Sequence, residues 1–254
     1  MTTSSRTASA SLLGLALVLS PVADMQAAEL QVLAGGGITG PLRELGPQFE
    51  SASDHKLVFR FGTTPELIKL ATSGGPFDLG VVPREVLKDA DAQARFASGP
   101  TTDIARVGLG VAIRADAPKP DISTPDALKQ TLLTAQSIAT IPASATGTQV
   151  LRVFERLGIS EAMQAKMKPQ PTPTQVVQAV AQGEAELGVF LLNVLTAPGV
   201  DVVGPFPAEL QQEVVFTAAV AANTKAAEAA KTFITYLTTP AAAAVIKAKG
   251  MQPG

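Results

Sequence analysis

The chain lacks cysteine and tryptophan, and it has one histidine and one tyrosine among its 254 residues. Without cysteine it has no disulfide framework, no thiolate metal site and no cysteine nucleophile. A single histidine excludes a multi-histidine metal centre and leaves little scope for imidazole chemistry. The net charge is −2 and 4% of residues are aromatic. A nucleic-acid binder would need a basic face and stacking rings, so we expect no nucleic-acid partner.

The amino terminus has the pattern of an export signal. Arg6 precedes an apolar run over residues 12–19, and small residues follow at Ala27 and Ala28. This pattern predicts a secretory signal peptide over 1–28 and a periplasmic location. The run is shorter than the roughly 20 apolar residues that a membrane-spanning helix needs. We therefore expect a protein that does not span the membrane; an uncleaved anchor and a disordered tail are the alternatives.

Strands and helices alternate through the first part of the exported chain. Apolar runs at 30–34, 57–61 and 78–82 predict buried strands, and each is followed by a loop and a helix-like pattern. Such alternation predicts a parallel sheet covered by helices on both faces. Ligands of such sheets bind beyond the carboxyl ends of the strands.

A second unit follows, and the end of the chain returns to the first. Further predicted strands lie at 107–113, 137–141, 186–191, 200–203 and 213–220, and two alanine-rich helices complete the chain at 226–237 and 240–249. We predict an α/β fold with two lobes, each a mostly parallel sheet flanked by helices, with a ligand cleft between them. The predicted division is 29–105 for lobe 1, 106–207 for lobe 2 and 208–254 for the return to lobe 1.

Five segments carry a family resemblance in their order and spacing: 32–38, 61–64, 75–79, 186–190 and 236–242. In these segments the chain resembles the type 2 periplasmic solute-binding proteins, in the molybdate-binding-protein-like branch of ABC importers. The resemblance covers nearly the whole exported chain. It implies the periplasmic-binding-protein fold, hinge closure on a small anion and an ABC transporter permease as partner. We expect a monomer.

The resemblance also implies which positions contact the ligand. Members of this branch hold an oxyanion with hydroxyl and backbone N–H groups, largely at helix N-termini. One hydroxyl position of the family falls near Thr63 or Thr64, and a helix donor falls on Thr146 and Gly147. The predicted ligand-binding residues are Gly36, Gly37, Thr63, Thr64, Arg84, Ser144, Thr146, Gly147 and Leu191.

Several positions depart from the family pattern. The first serine of the family falls on Gly37, which has no hydroxyl, and its tyrosine falls on Leu191, which has no polar end. A backbone donor of the family falls near Pro173 or Thr174, and proline has no N–H. These departures predict that molybdate is not the preferred ligand and favour another small anion, such as an organic carboxylate.

Some of these residues also have ordinary structural interpretations. Arg84 follows the third strand at the cleft side, where it could form a bidentate pair with a carboxylate. The alternative is a solvated Arg84 that pairs with Glu85 or Asp89. Glycines 35–37 form either an anion cradle or a tight turn, and the hydroxyl residues around Thr146 are equally good helix caps.

A binding protein is favoured over an enzyme. His55 precedes the second strand, at the wrong end for the cleft, so a Ser-His-Asp triad is not expected. Phosphate-loop and dinucleotide fingerprints are missing, which predicts no cofactor, and no acidic cluster predicts a metal. The alternative is an isomerase, because periplasmic aconitate isomerases resemble this same branch, including the stretch at 204–211. No residue is assigned as its base, and a sensor subunit that delivers ligand to a receptor remains open.

Overall fold

The computed structural model describes Met1 and residues 27–254, so most of the predicted signal peptide lies outside the described residues. The first lobe is built on three parallel strands, β1 (Glu29–Gly35), β2 (Lys56–Gly62) and β3 (Leu79–Pro83). They pair in the order β2-β1-β3. The helices that follow them are α1 (Thr39–Ala52), α2 (Thr64–Thr72) and α3 (Ala90–Gln93), with short 3-10 helices at Gly36–Ile38 and Arg84–Lys88.

Both faces of the central strand β1 are buried, which explains its continuous apolar run. Along β1, Val32 and Ala34 belong to the larger hydrophobic core, whereas Leu33 belongs to a second core on the other side. All three are at most 1% exposed. A strand covered on both faces reads as an unbroken apolar run because neither face meets water.

The second lobe repeats the parallel arrangement. The strands β5 (Ile138–Thr140), β6 (Met167–Pro169) and β7 (Leu187–Leu191) pair in the order β7-β5-β6. The accompanying helices are α4 (Pro125–Thr134), α5 (Ala145–Arg156), α6 (Ser160–Lys166), α7 (Pro173–Ala181) and α8 (Leu192–Leu195).

One long strand, β4 (Thr102–Arg114), connects the two lobes. Its first half pairs antiparallel with β9 (Glu213–Val220), and its second half pairs antiparallel with β7 and with β8 (Val200–Pro205). At the change of partner, the Gln211 amide accepts from Leu109 N at 2.7 Å and donates to Leu109 O at 3.0 Å. The side chain thus replaces a strand neighbour at that point. The division into lobes stays a prediction. Its boundaries at 105/106 and 207/208 lie within a few residues of Leu109 and Gln211, where β4 changes its strand partner.

The carboxyl-terminal segment packs on the first lobe. The helices α9 (Ala227–Leu237) and α10 (Pro240–Ala248) contact α1, and β10 (Gln252–Pro253) pairs with β4. The rings of Phe49 and Phe233 lie 4.8 Å apart between centroids, and both are at most 2% exposed. Each such buried ring contributes about 1.5–3 kcal/mol through the hydrophobic effect.

The prediction of an α/β fold is confirmed, with parallel strands in each lobe and antiparallel strands where the lobes join. Among the described residues, no helix has both the length and the apolar character needed to cross a membrane. His55 is 3% exposed, and its Nδ1 accepts from Ala28 N at 3.2 Å, so this histidine is part of the fold at the amino ends of the strands.

Candidate functional site

A small cavity of about 30 Å³ lies where the two lobes meet. The described residues that line it include no ionisable side chain, so polarity comes from hydroxyl and backbone groups. The cavity brings together most of the residues predicted from the sequence. Those that line it are Gly36, Gly37, Thr63, Thr64, Ser144, Thr146 and Leu191.

Helix N-termini from both lobes point towards this cavity. Thr63 is the N-cap of α2, Ser144 is the N-cap of α5, and Pro173 is the first residue of α7. All three line the cavity. The first N–H groups of a helix have no partner within the helix and carry partial positive charge. The convergence therefore produces a positive field without any cationic side chain, which suits a small anion.

Three of the hydroxyl groups are already engaged by protein atoms. Ser144 Oγ donates to Ile141 O at 2.7 Å and accepts from Gly147 N at 2.9 Å, so it serves as a helix cap. Thr63 Oγ1 donates to the carboxylate of Glu66 at 2.9 Å. Thr64 Oγ1 accepts from Ala145 N of the other lobe at 2.9 Å, which leaves its own proton available.

Thr146 is the exception at the start of α5. Thr146 is 4% exposed as a residue and lines the cavity. Among residues 27–254, neither its N–H nor its hydroxyl has a hydrogen-bond partner, although Ala145 N and Gly147 N beside it are both bonded. Two free donors on one residue that lines the cavity are available to a ligand oxygen.

Direct contacts hold the lobes together around the cavity. Asn193 Nδ2 donates to Gly37 O at 2.8 Å. A Cβ atom on Gly36 would lie 3.1 Å from Pro173 Cγ, and one on Gly37 would lie 2.5 Å from Leu191 Cδ1. The glycines therefore permit a close approach between lobes. Asn193 was not predicted from the sequence, because nothing local indicates a partner 156 positions away.

The cavity between the lobes is small in this structure. A water molecule needs about 10–15 Å³ of such volume, so 30 Å³ accommodates about two waters. An oxyanion or an organic acid is larger. The lobes contact each other beside this cavity through Thr64 and Ala145 and through Asn193 and Gly37, and we expect binding of a larger anion to change these contacts.

A larger open groove of about 680 Å³ adjoins the cavity. The two share Gly36, Gly37, Gly62, Thr63 and Pro173 along their common edge. Unlike the cavity, the groove has charged side chains among its lining residues. These are Arg43, Glu66 and Lys249.

Arg84 lies outside both spaces. Its guanidinium forms an ion pair with Asp103 on β4, rather than with either acidic neighbour considered from the sequence. Burial raises the pKa of Asp103, but hydrogen bonds from Arg84 and Thr217 and the charges of Arg84 and Arg106 outweigh it, so the pKa is lowered. The structure thus gives Arg84 a protein partner, and we do not carry it into the proposed ligand site.

We expect Arg84→Gln to leave anion affinity unchanged and to cost less than about 1 kcal/mol of stability, because both partners are partly exposed. A lowered carboxyl pKa stabilises the fold above the unfolded pKa and loses this effect as the pH falls through the folded value. The stability difference between Arg84 and the variant should therefore be fully present at pH 7, begin to fall near pH 4, and vanish only below the lowered folded pKa of Asp103. Urea titrations at both pH values measure it; a clear loss of anion affinity would return Arg84 to the site.

Gly147 is required by packing rather than by ligand contact. A Cβ atom there would lie 2.0 Å from Ile141 O and 2.5 Å from Pro142 O. The residue is absent from the cavity lining, although it adjoins Thr146. Its missing side chain allows the first turn of α5 to lie against the loop after β5, which positions the Thr146 donors.

Known proteins share this sequence and fold. The family model for bacterial extracellular solute-binding proteins matches residues 30–252. An aconitate isomerase from a Pseudomonas species is 36% identical over 232 residues, covering 88% of this chain and 87% of that protein. The molybdate-binding protein ModA of Azotobacter vinelandii is 29% identical over 237 residues, covering 89% and 90%.

The fold comparison agrees with the sequence comparison. The solved periplasmic molybdate-binding protein of Azotobacter vinelandii matches with a TM-score of 0.73 at 22% identity, over 87% of this chain and 98% of that chain. At this identity the likeness shows the fold, whereas the family model shows the membership. The chain therefore belongs to the bacterial extracellular solute-binding proteins, as a type 2 periplasmic solute-binding protein of the molybdate-binding-protein-like branch.

Proposed function

We propose that this protein captures a small anion in the cleft between its lobes, in the periplasm, and delivers it to an ABC importer. The observation that carries the proposal is Thr146, whose N–H and hydroxyl lack partners among the described residues inside a cavity ringed by helix N-termini. Those groups suit an anion held by neutral donors. The family membership supports the role in import, and its relative ModA is a molybdate-binding protein.

Molybdate itself is not the ligand that we propose. The positions where this branch has a serine and a tyrosine are Gly37 and Leu191, which contact each other here and offer no side-chain donor. Pro173 occupies the first position of α7 and has no N–H. With these protein donors missing, few hydrogen bonds remain to hold a small tetrahedral anion. A larger ligand whose charge is also stabilised outside the cavity, such as an organic carboxylate, is therefore favoured.

Anion binding predicts a rise in thermal stability. A ligand that binds only the folded state stabilises it by mass action. At about 100 times its Kd, the cognate anion should raise Tm by about 5 °C or more. The measurement is a thermal-shift screen with sulfate, phosphate, molybdate, acetate, succinate, citrate and trans-aconitate. Absence of a shift with all seven would contradict the proposal.

Thr146→Val should lower the affinity for the anion that gives the largest thermal shift by about tenfold, which is the effect of losing one hydrogen bond to a charged group. The matched control is Thr148→Val, two residues further along the helix, because Thr148 is exposed and its hydroxyl donates to Ser144 O. Calorimetric titration measures both. Equal affinities of the two variants would remove Thr146 from the site.

A second candidate is an isomerase acting on a small tricarboxylate. Two observations favour it: the 36% identical relative is an aconitate isomerase, and Glu66 places a carboxylate in the groove beside the cavity. Moving a proton next to a carboxylate needs a base, and Glu66 accepts only from Thr63 among the described residues. Incubation with trans-aconitate decides between the two functions. Formation of the cis isomer would assign the enzyme, and its absence at high protein concentration would leave the binding function.

A further inference from the structure

We propose that Arg43 binds a second carboxylate of the ligand, so that the cleft selects organic di- or tricarboxylates over single tetrahedral oxyanions. The proposal rests on the proposed anion-binding function and adds its substrate class. It follows from the two adjoining spaces. The cavity of about 30 Å³ has donors but no charge, and the groove of about 680 Å³ beside it contains cations. A ligand with one carboxylate at the helix N-termini would extend its remaining carboxylates into the groove.

Arg43 is held in place by an aromatic ring. Its guanidinium carbon lies 5.9 Å from the centroid of the Phe61 ring, and both residues line the groove. Phe61 is in β2, two residues before the N-cap Thr63, so this contact places the guanidinium near the start of α2. A guanidinium over a ring face keeps its edge N–H groups free to form a bidentate pair with a carboxylate.

Arg43 is also the cation of the groove without a partner among the described residues. Lys249 Nζ lies 2.7 Å from a carboxylate oxygen of Glu44, and Glu66 accepts from both the N–H and the hydroxyl of Thr63. No ion pair or hydrogen bond of Arg43 exists within residues 27–254. Arg43 is therefore a planar cation of the groove with no direct partner among the described residues, and the group that matches its geometry is a carboxylate.

Calorimetric titration of the exported chain tests this assignment. The probes are citrate and trans-aconitate as tricarboxylates, and acetate and sulfate as anions whose charge is confined to one carboxylate or one tetrahedral group. We expect Arg43→Gln to weaken tricarboxylate binding by about tenfold or more and to change acetate and sulfate binding by less than about twofold. Arg43→Lys should give an intermediate affinity, because lysine retains the charge but loses the fork of donors.

Arg152→Gln is the matched control, because Arg152 is exposed on α5 and lies outside both spaces. Tricarboxylate binding that is equal in Arg43→Gln and Arg152→Gln would overturn the assignment while leaving the anion site standing. An equal loss for tricarboxylates and sulfate would show that Arg43 acts as a distant charge, which also overturns it. If the unaltered chain binds none of the probes, the result contradicts the proposed anion-binding function itself, and the assignment of Arg43 is contradicted as well.

Discussion

Gly147→Ala should destabilise the protein by about 3 kcal/mol, the upper part of the usual range for overpacking a buried site. The added Cβ would meet two backbone carbonyl oxygens, Ile141 O at 2.0 Å and Pro142 O at 2.5 Å. Backbone atoms cannot rotate away as a side chain does, so either the loop after β5 or the first turn of α5 must move. Urea denaturation followed by circular dichroism measures the loss.

The matched control is Gly40→Ala, which places the same methyl group near the start of another helix. Nothing lies within 4 Å of a Cβ atom at Gly40. Alanine is a better helix former than glycine, so this variant should be more stable by up to about 1 kcal/mol. A Gly147→Ala variant as stable as the unaltered chain would mean that the close approach at α5 can relax, and that glycine has another reason to be there.

The strands of the fold were predictable because burial on both faces leaves a local signature. The predicted strand at 30–34 is observed as Glu29–Gly35, and the one at 213–220 is observed at the same bounds. Such runs are apolar whichever strands they pair with. Pairing itself was not predictable: β9 lies antiparallel between β3 and β4, and nothing in its residues specifies those neighbours.

Short elements were missed for a different reason. The helix α6 (Ser160–Lys166) buries only Met163, and β6 (Met167–Pro169) has no buried residue. Neither element can show a regular spacing of apolar residues, because such a spacing needs more than one buried position. They form because the preceding helix and the neighbouring strand β5 supply their contacts.

The residues that line the candidate site were predictable from the sequence where they lie at helix starts. Residues such as Thr63 and Ser144 mark N-termini by their chemistry alone, and N-termini at the carboxyl ends of strands converge on the cleft. Arg84 shows the limit of that reasoning. Its partner Asp103 is 19 positions away on the strand that connects the lobes, and no local pattern places that carboxylate beside it.

Gly37→Ala should lower anion affinity by at least about fivefold, because overpacking by one methyl group at the interface between the lobes costs about 1–3 kcal/mol. The Cβ atom would lie 2.5 Å from Leu191 Cδ1 of the other lobe and 2.9 Å from Phe216 Cζ. We expect separation of the lobes to remove the contact with Leu191 but not the one with Phe216, so that part of the cost falls on closure. Calorimetric titration with the best anion of the thermal-shift screen measures the loss.

A double-mutant cycle with Leu191→Val separates this contact from a general disturbance. Valine has no Cδ1, so the added methyl group at position 37 gains the space that Leu191 occupied. The loss caused by Gly37→Ala should therefore be smaller when valine is at position 191, by a coupling of about 0.5–3 kcal/mol. Strict additivity would contradict the contact. Coupling would mean that two of the positions where the resemblance implies a departure from the molybdate-binding pattern act together. The bulk of Leu191 would then require glycine at 37, so that neither position offers a side-chain donor and the anion is left to the helix N-termini.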